Sequence, residues 1–120
     1  MPFDLIGLLD SLRLRWRHDS LEVFQDNEER FVLDDADGLT LDHRRRIVRR
    51  GGRVLADFAE VECIRIRTCD EARNAVHWKL YLGRIRKRDL VIGRTEDQLQ
   101  GSRVAARMAT LLDKPVVVRK

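Results

Sequence analysis

Leu39-Thr40-Leu41-Asp42-His43-Arg44-Arg45-Arg46-Ile47-Val48-Arg49-Arg50-Gly51-Gly52-Arg53-Val54-Leu55-Ala56 is the stretch from which the rest of this chain is read. Leu39, Leu41, His43 and Ile47 share the parity of a strand over residues 39–48. Residues 54–56 return from Gly51-Gly52, where both central positions tolerate φ > 0 without a Cβ clash. The segment therefore reads as a β-hairpin. Six arginines crowd it: Arg44, Arg45, Arg46, Arg49, Arg50 and Arg53.

Downstream, 57–61 (Asp-Phe-Ala-Glu-Val) reads as a short corner, and 62–68 as a strand with Ile64 and Ile66 inward and Cys63, Arg65 and Arg67 outward. Residues 69–74 are polar and read as a loop. Over 75–83, Val76, Trp78, Leu80 and Leu82 share one face, and His77, Lys79 and Tyr81 the other. Residues 84–89 form a second basic turn carrying Arg84, Arg86, Lys87 and Arg88, and 90–94 complete that hairpin. Thr95 and Gln98 fit a capping box for a C-terminal helix over about residues 96–112. Its apolar stripe is Gly101, Val104, Ala105, Met108, Leu111 and Leu112. Asp113-Lys114-Pro115 ends it, and Val116-Val117-Val118 either packs along it or adds a strand.

Upstream the pattern is less regular. Pro2 and the spacing of Phe3, Ile6, Leu9 and Leu12 predict an N-terminal helix over about residues 3–14. It would dock on the domain's own sheet, on a partner or on a membrane surface. Residues 21–33 read as two short strands around the acidic turn Asp26-Asn27-Glu28-Glu29. Residues 34–38 (Asp-Asp-Ala-Asp-Gly) invite a calcium-loop alignment. That alignment puts Leu33 at the first ligand position and Arg44 at the bidentate Glu position, so the segment is an ordinary Asp-Gly turn. The expected fold class is α+β: antiparallel strands in a roll or partly open barrel, capped by one C-terminal helix.

A chain of 120 residues is one domain, 1–120, and buries roughly two-thirds of its unfolded surface. An apolar fraction of 43% supports a folded core, and 37% charged residues implies solvated strand faces. No stretch approaches the roughly 20 apolar residues of a membrane helix. Met1-Pro2-Phe3-Asp4-Leu5 lacks the basic start of a secretory signal, so a cytoplasmic location is expected.

The net charge of +4 conceals a division. Residues 1–37 hold four Arg against ten Asp and Glu, whereas 38–120 hold twenty Arg and Lys against ten. An acidic N-terminal arm thus precedes a basic body, either folding back on it or serving a separate partner. Cys63 and Cys69 lie six apart on one strand, roughly 20 Å at about 3.3 Å per residue, too far for a disulfide. They read as residues of a reduced compartment.

From residue 39 to residue 118 this layout resembles the bacterial pleckstrin-homology-like (PH-like) domains. The likeness is carried by the basic hairpin and by a strand reached through the aromatic corner Phe58-Ala59-Glu60-Val61-Glu62-Cys63-Ile64. An alternating hairpin follows, then an Ala-rich helix (Ala105-Ala106-Arg107-Met108-Ala109) that ends near Pro115-Val116. The resemblance implies a seven-stranded bent sheet closed at one end by the helix, and a binding or assembly module with no shared catalytic set. Lipid-binding members of the wider superfamily use basic residues of the first hairpin loop, the position of Arg49, Arg50 and Arg53 here.

Catalytic, cofactor and metal sites find no support in the residues. A nucleophile needs a base within hydrogen-bond reach, and the three histidines are scattered. His43 reads as a half-buried strand residue, His77 as a solvated one, and His18 adjoins Asp19. Arg50-Gly51-Gly52-Arg53 has hairpin context, not the strand-to-helix context of a phosphate loop. The expectation is a non-enzyme that needs no cofactor. Two readings of its binding stand. One is association with a protein partner or with itself as a homo-oligomer. The other is capture of a polyanion, nucleic acid or an anionic membrane surface, by the cations of the two basic turns. Against the second reading, the basic face lacks interleaved aromatics, and Tyr81 is the one ring expected there to stack a base.

Overall fold

The computed structural model describes residues 21–33, 38–71 and 75–119. Within them the chain is mostly antiparallel strand with a single C-terminal helix, an α+β fold. The expected N-terminal helix and most of the Asp-Gly turn lie outside the described residues. One open sheet is a five-stranded meander of β1 (Val23–Asp26), β2 (Arg30–Leu33), β3 (Leu39–Asp42), β4 (Ile47–Arg50) and β5 (Arg53–Asp57). The second contains β6 (Val61–Glu71), β7 (Ala75–Arg84), β8 (Lys87–Thr95) and, after helix α1 (Gln98–Leu112), β9 (Val116–Arg119). Its spatial order is β8-β7-β6-β9. Two open sheets replace the one bent seven-stranded sheet expected from the resemblance.

The opening stretch folds differently from its simple parity. Residues 39–48 are not one strand: β3 ends at Asp42 and β4 begins at Ile47, opposite it. The cause is local. The Asp42 carboxylate accepts the Arg45 N–H at 3.1 Å, and Arg46 takes φ 57°, which closes a four-residue turn. The Gly-Gly turn forms as expected between Arg50 and Arg53, with φ 59° at Gly51 alone, as in a type II′ turn.

The acidic segment belongs to the fold. Leu21, Phe31 and Leu33 are buried, and Asn27 tightens the β1–β2 turn by accepting from the Glu29 and Arg30 N–H groups, both at 2.9 Å. In the described residues, the boundary near residue 37 is therefore one of charge and not of sheet. Strand β6 runs on through Cys69 to Glu71, where a polar loop was expected, because Cys69, Asp70 and Glu71 continue the ladder with His77, Val76 and Ala75.

Helix α1 starts two residues later than its sequence cap. Asp97, not Thr95, is the N-cap, accepting from the Leu99 and Gln100 N–H groups at 2.9 and 3.3 Å. Thr95 Oγ1 instead accepts from the Asp97 N–H at 3.1 Å and so positions the cap. The predicted stripe is the buried face: Gly101, Val104, Ala105, Met108 and Leu112 face the core, with Leu111 partly buried. Asp113 ends the helix in the left-handed region, φ 56°.

The chain after Pro115 then adds a strand, and β9 lies parallel to β6. One apolar core joins both sheets and the helix through Phe31, Leu41, Val48, Ile64, Leu82 and Met108.

Candidate functional site: the basic face of the four-stranded sheet

The cations nominated by the sequence do not form one patch. Arg44, Arg45 and Arg46 stand at the β3–β4 turn, while Arg49, Arg50 and Arg53 stand at the far end of β4. Two residues of β4, Ile47 and Val48, separate the two groups, about 10 Å from Arg46 to Arg49. Several are engaged within the molecule. The Arg46 guanidinium lies 5.5 Å from the centre of the Phe58 ring, and the Arg49 Nη1 donates to the Gly51 carbonyl at 3.2 Å. Arg50 crosses to the other sheet and donates to the Val91 and Ile92 carbonyls at 3.2 and 3.3 Å.

In the second turn, Arg84 donates to the Leu55 carbonyl at 3.2 Å and to the Arg88 carbonyl at 3.0 and 2.9 Å. Lys87 pairs with Glu60 at 3.1 Å. The Asp57 N–H and then Lys87 hold the Glu60 carboxyl below the usual carboxylate range. Arg44, Arg45, Arg53, Arg86 and Arg88 are exposed, at or beside turns of both sheets.

A cross-strand row of cations lies elsewhere. Strand register sets Arg119, Arg67, Lys79 and Arg94 side by side across β9, β6, β7 and β8. Opposed residues on one face share its direction, so this is a cation row about 14 Å long on the sheet face away from the helix. The next row holds Arg65 opposite Tyr81. A hollow of about 650 Å³ opens over this face, lined by Arg65, Arg67, Tyr81, Arg88, Asp89 and Arg119. Among the described residues Asp89 is the one carboxylate in that lining, and it is paired with Arg65.

Gly83 allows that pair. Arg65 on β6 must cross β7 to reach Asp89 on β8, and a Cβ at Gly83 would stand 3.0 Å from Arg65 Nη1. The same crossing covers Cys63, whose Sγ would lie 2.8 Å from that Cβ. Burial pushes the Cys63 thiol up, against the nearby Arg65 charge, and the Asp89 hydrogen bond raises Arg65 further.

No family model, no curated protein and no solved structure matches this chain.

The remaining titratable groups are dispersed. His43 sits exposed at the β3–β4 turn, its ring tilted 60° against Phe58 at 6.1 Å, and is not a half-buried strand residue. His77 is buried at 6% exposure where solvation was expected: parity sets which face a strand residue takes, but not what lies over it. A second hollow, lined by Glu28, Glu29, His43, Arg44, Arg107 and Leu111, mixes both signs of charge. Among the described residues no three His, Cys, Asp or Glu converge as metal ligands, and no helix is long and apolar enough to cross a membrane.

Arg65, Arg67, Lys79 and Tyr81 were legible as outward residues of two strands, but not as a site. What completes it is Arg119, delivered by the parallel docking of β9, and no local pattern signals that partner strand.

Proposed function

We propose that this chain is a non-enzymatic binding module that takes an acidic protein partner on the basic face of its four-stranded sheet. One observation carries the reading: the cross-strand row Arg119, Arg67 and Lys79, with Arg65 and Arg88 around the adjoining hollow. Like charges set directly opposite one another destabilise a sheet. A ligand of opposite charge removes that repulsion on binding, and the gain is therefore built into the face. The reading also agrees with the PH-like resemblance. Within residues 39–118, six antiparallel strands, β3 to β8, precede the helix, and domains of that kind serve as binding or assembly modules. Two free cysteines accord with a reducing, cytoplasmic setting.

A protein partner is favoured over single-stranded nucleic acid for one reason. Among the described residues Tyr81 is the single ring lining the hollow, whereas single-strand binders stack several bases. The sequence-nominated turns contribute less, since Arg50, Arg84 and Lys87 are bonded within the molecule.

The test is fluorescence anisotropy with a labelled oligoglutamate, a duplex DNA and phosphatidylserine vesicles as separate probes, at low and moderate salt. Arg67→Glu/Arg119→Glu is expected to weaken oligoglutamate binding about tenfold or more, while Arg44→Glu/Arg45→Glu leaves it within about twofold. Equal loss in both variants, or binding of only DNA or vesicles, overturns the acidic-protein reading.

A further inference from the structure

Among the described residues, four strands form the edges of the two sheets: β1, β5, β8 and β9. Three of them carry a device that blocks further pairing. The register of β1 breaks between Val23 and Gln25, a bulge that bends it away from a straight neighbour. On β5 the Leu55 carbonyl is occupied by Arg84, and on β8 the Val91 and Ile92 carbonyls are occupied by Arg50. Strand β9 differs. Its pairing with β6 runs unbroken from Ile64–Val116 to Arg67–Arg119, and Val118 is 66% exposed.

The backbone of β9 has a defined outward side. The Ile64 N–H donates to the Pro115 carbonyl at 3.0 Å. Successive residues of a parallel strand send their polar groups to opposite sides, so Val117 and Arg119 face β6, and Val116 and Val118 turn N–H and C=O outward. The side chains alternate in the other direction. Val117 and Arg119 lie on the basic face with Arg65 and Arg67, whereas Val116 and Val118 lie on the core face with Ile64 and Ile66.

From this we infer that β9 is an acceptor edge, and that the partner adds to it as an extended strand alternating apolar and acidic residues. The inference rests on the acidic-partner reading above and specifies how that partner binds. Its backbone pairs with the outward groups of Val116 and Val118. An acidic side chain stands beside Arg119 as the next rung of the cation row, and an apolar one covers Val118. Main-chain pairing supplies affinity, and the alternation supplies specificity.

The probe is a labelled eight-residue peptide alternating valine and glutamate. Its control carries the same residues as one valine block and one glutamate block. The decisive variant of the full chain is Val118→Pro, which removes an outward N–H and leaves the β6 ladder intact, a position where an edge strand tolerates proline. An unchanged thermal midpoint confirms that the fold survives.

The alternating peptide is expected to bind at least about fivefold more tightly than the block peptide, and Val118→Pro to weaken it about tenfold. Equal binding of the alternating peptide by wild type and Val118→Pro overturns the strand-addition proposal. Equal binding of both peptides, lost in Arg67→Glu/Arg119→Glu, also overturns it, while leaving the basic-face reading standing. Failure of every acidic peptide overturns both.

Discussion

Gly83 shows how much one missing methyl group decides. It lies between Cys63 and Arg65 on β6 and Asp89 on β8, and its lack of a side chain lets the Arg65–Asp89 pair span three strands. Gly83→Ala is expected to cost about 1–3 kcal/mol, since the added Cβ meets the buried Cys63 Sγ as well as the guanidinium. Adding Cys63→Ala should restore more than half of that loss, which chemical denaturation of the four proteins in the cycle would measure. Full additivity would place the strain somewhere other than at this contact. In the sequence Gly83 is only a strand-end glycine. The side chain that needs its space comes from a residue eighteen positions away, which no local pattern points to.

The elements are joined by arginine. Arg50 ties the end of β4 to the carbonyls of β8, and Arg84 ties β7 to β5, so the two sheets are held edge to edge by side-chain donors on backbone acceptors. Arg50→Ala is expected to lower stability by about 1–3 kcal/mol, because the part-buried Ile92 carbonyl loses its donor. Exposed Arg53, directly opposite it, should tolerate alanine within about 0.5 kcal/mol. Thermal or denaturant unfolding distinguishes them, and equal effects would refute the joint. Read along the chain, these two arginines are indistinguishable neighbours of the same turn. The helix was legible in its apolar stripe, and only its cap was misplaced: Thr95 and Asp97 both carry suitable oxygens, and β8 runs through Thr95 before the helix begins.

Across the whole molecule, one core serves both sheets and the helix, with Met108 fully buried at its centre. Met108→Ala is expected to cost about 2–5 kcal/mol and to shift the unfolding of both sheets together. Hydrogen exchange of β3 and β7 amides should move in step, and loss of protection in one sheet alone would show two separate units. Hairpin turns, strand parity and the helix stripe were set by residues within a few positions of one another, and these the sequence by itself determined. They depend on φ preference, alternation and 3.6-residue periodicity, all local properties. The burial of His77, the two arginine joints and the cation row depend on which distant parts of the chain come together. Only the tertiary structure decided those, because β9 reaches β6 through the packing of α1 on the sheet, and pairing between strands so far apart in sequence leaves no periodic trace in either.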